Sequence, residues 1–425
     1  MQPVNQRRGR HRNPARGPAH ARTLRRPRWR ATLAAALGVL LFLGTAFGLV
    51  YTRLQGNIER SNITMLLSND RPEAQPPLDP NAGQPINLLV IGSDVRTGDF
   101  ADPTIEGMRS DSTVLLHISS GRDRVEAISL PRDLLVKIPS CYRHDGSRTR
   151  ELRSAKFNTA FALGGARGEV DEAAACTIRT VERMSGIYID DYVVMDFQGF
   201  ESMVNALQGV PLYIDEDIND RRADLKLDAG CRLLDGRQAL GYARARYTLG
   251  DGSDVSRINR QHELLSSIAR EVLRLNLLTD LSSLYSFLDA ATSSMSTGEQ
   301  IGSLSTMAGL AYSLRGIEPS EITFVTLPFV WSGQDIYPSE DAELVWHNLL
   351  LDQPVNTPPE TEESPSSSSS SETGTEPSPT ADPTTDSQNS LPSREPTPTQ
   401  TPTFEHETTA ETDALDPICT RERAS

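Results

Sequence analysis

The feature that most constrains this 425-residue chain is one apolar run, ATLAAALGVLLFLGTAFGLVYT, at residues 31–52. It carries no charge. As a helix rising about 1.5 Å per residue it would span the roughly 30 Å hydrocarbon layer of a bilayer. Ten arginines and no acid occupy residues 1–30, whereas Arg53 and an acid-containing segment follow the run. That bias predicts a basic cytoplasmic segment, a membrane helix over 31–52 and an extracytoplasmic bulk. A cleaved signal peptide is the alternative, but the run is long for an h-region and no A-x-A site precedes the polar GNIERSN at 56–62. A basic head also suggests nucleic acid. Thirty residues without a helix-turn-helix pattern make a poor reader of sequence, so no nucleic-acid partner is expected.

Composition divides the remainder. Residues 53–84 read as a polar, Pro-containing extracytoplasmic stalk. Residues 352–425 carry fifteen acids against three arginines and a run of six serines at 366–371. A Ser/Thr/Pro/Glu-rich stretch with so little apolar surface cannot offset its ordering entropy, and it is expected to be a disordered tail. Between them, 85–351 alternates short apolar runs with helical patterns. NLLVIGSD (87–94), STVLLHIS (112–119), RVEAISL (124–130), DYVVMD (191–196), VPLYI (210–214) and ITFVTLP (322–328) read as strands, and LLVKI (134–138) as a continuation of the same sheet. Helices are expected at 156–163, at 169–185 with Gly186 as stop, from 196 through Leu207, and at about 254–275, 278–292 and 299–315. Alternation without internal repeats implies an α/β fold, a mixed central sheet sandwiched by helices.

GYARARYTLGDGSDVSRINRQ at 241–261 carries the chemistry. Read as extended, Tyr242, Arg244 and Arg246 alternate with alanines and send both guanidiniums to one face. A helix opens near Asp254, placing Asp254, Arg257 and Gln261 at i, i+3 and i+7 on one stripe. Arginine presents a planar fork of donors and cannot discharge, so the convergence suits a phosphate or pyrophosphate clamp. A solvated basic face with surface ion pairs is the bland alternative. The four cysteines, Cys141, Cys176, Cys231 and Cys419, lack zinc-type spacing, and an even count outside the membrane favours disulfides. Cys141 and Cys176 flank one loop–helix unit and are expected to pair, with free buried thiols as the alternative.

Seven blocks carry a resemblance: GSDVR (92–96), RSDS (109–112), SLPRD (129–133), KFNTAFALGG (156–165), DDYVVMDFQGF (190–200), LDGRQALGYARAR (234–246) and DVSRINRQ (254–261). In this order behind one membrane helix they resemble the LytR-CpsA-Psr family, in its actinobacterial form, over roughly 85–275. The resemblance implies an α/β sandwich with an apolar cavity for a prenyl chain. It implies an Mg²⁺-dependent extracytoplasmic phosphotransferase that moves a glycopolymer from a polyprenyl-pyrophosphate carrier to peptidoglycan, at a muramic acid hydroxyl, or to a surface protein. By the same resemblance Asp94 and Asp111 hold the metal. Arg109, Arg132, Arg244, Arg246, Arg257 and Gln261 bind the pyrophosphate, with Arg132, Arg244 and Arg257 catalytic.

The residues agree with that assignment. Asp94 ends one strand and Asp111 begins the next, and hard Mg²⁺ takes one or two carboxylates plus phosphate and water. Asp254 is a candidate base for the attacking hydroxyl, or simply a helix N-cap. The long segment between Asp94 and Arg109 reads as a lid or substrate-reading loop. Relatives carry a cysteine near Tyr213, where this chain is apolar, so Cys231 has no obvious partner. A pyrophosphatase releasing glycan to water, and a non-catalytic lipid-glycan scaffold or regulator of wall assembly, are the alternatives.

Overall fold

The computed structural model describes residues 28–73, 78, 83–94, 108–245, 254–274, 281–293 and 295–358. The chain divides into two units, residues 1–53 and 54–425. In the first, the described residues belong to helix α1 (Arg28–Asn57). Its apolar stretch from Thr32 has a mean hydropathy of 2.3 and is not buried against protein, so by length and composition it is able to cross a membrane.

The second unit is a mixed α/β domain. Its elements run β1 (Glu59–Ser61), β2 (Ile86–Ser93), β3 (Ser110–Ile118), β4 (Val125–Ser129), β5 (Leu135–Ile138), β6 (Leu152–Lys156), α2 (Thr159–Gly164), α3 (Val170–Ser185), β7 (Asp191–Met195) and α4 (Phe197–Ala206). Then follow β8 (Val210–Ile214), β9 (Ile218–Asp220), β10 (Leu225–Leu227), β11 (Gly230–Leu234), α5 (Gly236–Arg244), α6 (Asp254–Arg274) and α7 (Leu281–Thr292). The last are β12 (Met295–Gly298), α8 (Leu304–Ser313), β13 (Ile322–Thr326), β14 (Phe329–Ser332), β15 (Asp335–Pro338) and α9 (Glu340–Leu350).

Seven strands form the main sheet in the order β1-β12-β7-β2-β3-β4-β13. β2 runs parallel to β7 and antiparallel to β3, and β4 is parallel to β13. Alternation along β2 explains the sandwich. Leu89 and Ile91 enter the core shared with α2, α3 and α9, while Ile86 and Leu88 face Ile301, Leu310 and Ile317 on the other side. A third cluster joins α4, β8, β10, α5 and α6. Gly186, at φ 72°, ends α3 in the left-handed conformation that favours glycine.

Four expectations need correction. The stalk drawn over 53–84 is in part domain. β1 pairs with β12 from Glu59↔Ser296 to Ser61↔Gly298, and Ile63, Leu66 and Leu67 are buried in the main core. LLVKI does not extend the main sheet; β5 pairs with β6 in a separate ribbon. Residues 236–244 are helix, not strand, because Asp235 and Gln238 form a capping box that starts α5. The folded part also passes 351. Val355 is 3% exposed within the main core, and its N–H donates to Glu126 Oε1 at 2.8 Å. Asp352 accepts from Ser120 N–H at 3.0 Å and from Arg124 Nη2 at 2.9 Å. Truncation after Leu351 is therefore expected to cost about 2–3 kcal/mol, from lost burial and an orphaned Glu126, relative to truncation after residue 358. Equal melting temperatures for the two would contradict this packing.

Asp190 immediately precedes β7, and its Oδ2 accepts the Asn87 N–H at 2.7 Å. Burial pushes its carboxyl up to about 6, against the opposing pull of that N–H and of Arg71. The folded domain thus holds this proton more tightly than the unfolded chain. The group's contribution is most favourable below pH 4 and is lost as pH rises through about 6. Asp190→Asn should accordingly gain about 1–3 kcal/mol at pH 7.5 and nothing at pH 4, read by urea denaturation. A gain independent of pH would refute the assignment.

Candidate functional site

The C-terminal ends of β2 and β4 and the start of β3 meet at one end of the main sheet, and the sequence places polar residues at each. β2 closes with a bulge between Gly92 and Ser93. A Cβ on Gly92 would lie 2.4 Å from the Ser112 hydroxyl, so glycine permits the close approach. Beyond the bulge, the Asp94 N–H donates to the Arg109 carbonyl at 3.0 Å, and the Arg109 N–H donates back to Asp94 Oδ1 at 2.5 Å. This pairing keeps Asp94 beside the strand that carries Asp111.

Asp111 is the meeting point. Arg132, beyond the end of β4, donates from Nη1 to Asp111 Oδ1 at 2.8 Å. Arg257 on α6 is 5% exposed and donates from Nη2 to the Asp111 backbone carbonyl at 3.3 Å. Side-chain exposures of 21% for Arg132 and 32% for Asp111 leave this pair in reach of a ligand. Arg132 also lies 3.8 Å from Asp133, which accepts from Lys156 Nζ at 2.8 Å.

α5 and α6 bring the other groups. Tyr242 is buried rather than facing a site. Its hydroxyl donates to Glu263 at 2.9 Å, and burial followed by the Glu263 charge pushes its ionisation well above the ordinary range. Gln261 Nε2 donates to the Ala243 carbonyl at 3.2 Å, and Arg260 Nη2 donates to the Ala245 carbonyl at 2.5 Å. These bonds fix the end of α5, where Arg244 lies with its guanidinium carbon 4.7 Å above the Phe197 ring. Asp254 begins α6, as expected, but its side chain lies outside the described residues, as do Arg246 and the loop 95–107.

Arg132 and Arg257 are thus joined on Asp111, while Asp94 pairs with the Arg109 backbone two residues before Asp111 in the chain. Gln261 and Arg244 are tied to this group through α6. Arg132, Arg244 and Arg257 each have a partner: the Asp111 carboxylate, the Phe197 ring and the Asp111 carbonyl. Sequence reading passed over Phe197, whose signal is the DFQGF block in which Asp196 caps α4 by accepting from Gly199 N–H. It also passed over His262, next to Gln261. His262 Nε2 and the Ser129 hydroxyl are 2.7 Å apart, and the ring lies 5.6 Å from that of Phe324, tilted by 41°, so α6 is tied to β4 and β13 beside Arg132.

Among the described residues no three His, Cys, Asp or Glu side chains form a metal cluster. Two hard carboxylates from adjacent strand ends nevertheless fit a cation that takes its other ligands from phosphate and water. The expected Cys141–Cys176 disulfide is present, with Cα atoms 5.2 Å apart. Cys231, expected to lack an obvious partner, is also disulfide-bonded.

Fold and site together define an α/β protein whose sheet end gathers guanidiniums and carboxylates. The chain belongs to the LytR_cpsA_psr family, whose sequence model matches residues 50–348. It is 31% identical over 217 residues to the polyisoprenyl-teichoic acid–peptidoglycan teichoic acid transferase TagU of Enterococcus faecalis, covering 51% of this chain and 62% of that one. It is 30% identical over 240 residues to biofilm regulatory protein A of Streptococcus mutans, 54% of either chain. The chain therefore spans about half the length of that relative. The fold is shared with the LytR-Csp2A-Psr enzyme of Actinomyces oris, at TM-score 0.51 and 18% identity over 69% of this chain and 95% of that one. It is shared equally with protein gbs0355 of Streptococcus agalactiae, at TM-score 0.51 and 23% identity over 64% and 89%.

Proposed function

We propose that this protein is an extracytoplasmic transferase, held by α1 as a single-pass anchor with its N-terminus in the cytoplasm. It moves a phospho-glycan from a polyprenyl-pyrophosphate carrier to a cell-wall acceptor, a peptidoglycan muramic acid hydroxyl. The observation that carries the reading is the convergence of Arg132 and Arg257 on Asp111, with Asp94 alongside. Membership in a family with a relative named as a teichoic acid transferase supports it.

The acceptor oxygen attacks the phosphorus nearer the glycan, and the bond to the bridging oxygen breaks. The glycan leaves with its phosphate on the acceptor, polyprenyl monophosphate departs, and the hydroxyl proton passes to a base or to water. Arg132, Arg244 and Arg257 bind the pyrophosphate and offset the charge that grows on the departing phosphate. Arg109, Arg246 and Gln261 complete the proposed binding set. Asp94 and Asp111 would hold Mg²⁺, which when bound would supply further charge neutralisation at the phosphoanhydride. Ser129 and His262 position α6, and with it Arg257.

The test supplies the full-length chain in detergent with a lipid-linked phospho-glycan and peptidoglycan fragments. Covalent glycan on the fragments is expected. Free glycan phosphate would make the protein a pyrophosphatase, and lipid binding without turnover would make it a scaffold.

A further inference from the structure

At the other end of the main sheet, a cleft of about 540 Å³ lies between the C-terminal half of α3, the segment that joins β5 to β6 and residues 68–70. Its opposite location follows from Arg71, which lines an adjoining pocket and donates to the Ile189 carbonyl, just before the first residue of β7. Glu182 closes on Arg71 at 2.5 Å, Glu151 accepts from Lys137 at 2.9 Å, and Asp70 takes Arg179 Nη1 at 3.3 Å. The acids of the cleft are therefore spoken for. Arg148 and Arg183 line it too; both are exposed and make no ion pair among the described residues.

Arg179 is the built part. Its side chain is 9% exposed, and its buried Nε has no hydrogen-bond partner among the described residues. The guanidinium carbons of Arg148 and Arg179 lie 4.1 and 5.2 Å from the centre of the Tyr142 ring. The Cys141–Cys176 disulfide locks this arrangement. Cys141 adjoins Tyr142, while Cys176, Arg179 and Arg183 follow at i, i+3 and i+7 on one face of α3.

The cations continue beyond the cleft. Arg150 and Arg153, both exposed, lie on either side of Glu151 just beyond Arg148, in a protein whose formal net charge is −15. An open groove with further guanidiniums beside it suits repeated anions on one chain better than a single small ion. Apart from Pro139 and Tyr142 the side chains that line the cleft are polar or charged, so its lining offers little of the apolar contact of a membrane-surface site.

We propose that this cleft binds an acidic polysaccharide strand, holding a polymer at the sheet end remote from the Asp111 site. The choice of a glycan among polyanions rests on the proposed function, but the test is a binding measurement that an inactive enzyme would still pass.

Labelled oligogalacturonate is titrated onto the full-length chain in detergent at physiological ionic strength, with neutral dextran as the blank. Arg148 and Arg183 are exposed, so R148Q/R183Q should keep its melting temperature while its affinity falls about tenfold or more. Arg179→Gln should weaken binding as well. Arg315→Gln, an equal charge change on the exposed Arg315 that stacks on Tyr312 at 3.9 Å, should lose less than about twofold. Unchanged affinity in R148Q/R183Q would overturn the proposal, as would an equal loss in Arg315→Gln. Binding to phosphatidylglycerol vesicles that R148Q/R183Q abolishes while oligogalacturonate binding persists would assign the cleft to membrane instead.

Discussion

Asp111→Ala is expected to abolish the proposed transfer in a chain that remains folded, a loss above about a hundredfold in turnover. The size follows from the convergence of contacts on this one residue. Its carboxylate holds Arg132 at 2.8 Å, and it is one of two carboxylates proposed to carry the metal. Removing it takes away the anionic ligand and frees Arg132 to swing from its place. Stability should move by no more than about 1 kcal/mol, because the pair is partly solvated, at 21% and 32% exposed. Arg257→Ala behaves differently. That side chain is 5% exposed and bonds the Asp111 carbonyl, so its loss should lower both activity and melting temperature. Full activity in a folded Asp111→Ala variant would remove this end of the sheet from the mechanism.

Loss of the Cys141–Cys176 bridge carries the largest expected effect on stability. The two residues are 35 apart in sequence, and closing a loop of that size is worth about 4 kcal/mol on the chain-entropy estimate. Both cysteines are fully buried in the main core, so their replacement by alanine adds a small packing loss. Urea denaturation of Cys141→Ala/Cys176→Ala against the oxidised protein should show the whole of this difference. The same denaturation under strong reductant should bring the parent close to the variant. A variant as stable as the parent would mean that the unfolded chain is already restrained there.

Much of this was legible because local pattern and tertiary role coincide. NLLVIGSD reads as a buried strand ending in a polar loop, and the structure puts Asp94 there, with Asp111 at the head of the neighbouring strand. The 3.6-residue pattern from Asp254 gave α6, and with it the stripe holding Arg257 and Gln261. What failed is instructive. Tyr242-Ala-Arg-Ala-Arg alternates like a strand, yet the capping box at Asp235 and Gln238 lies just upstream and carries helix through Arg244. β1 is three residues long and pairs with a strand more than 230 positions away, so no local signal marks it. Val355 follows a proline in a polar stretch, and its burial depends on Glu126 of β4, which composition cannot foresee. The Ser129–His262 bond joins elements 133 residues apart and was invisible for the same reason.

The most direct test of the central claim follows the phosphates of the carrier. A lipid-linked glycan labelled with ³²P only on the phosphate next to the sugar is incubated with the full-length chain and peptidoglycan fragments. The label is expected to arrive on the acceptor with the glycan while unlabelled polyprenyl monophosphate is released, in step with each other. Release of labelled polyprenyl pyrophosphate, with glycan transferred free of phosphate, would contradict the central claim.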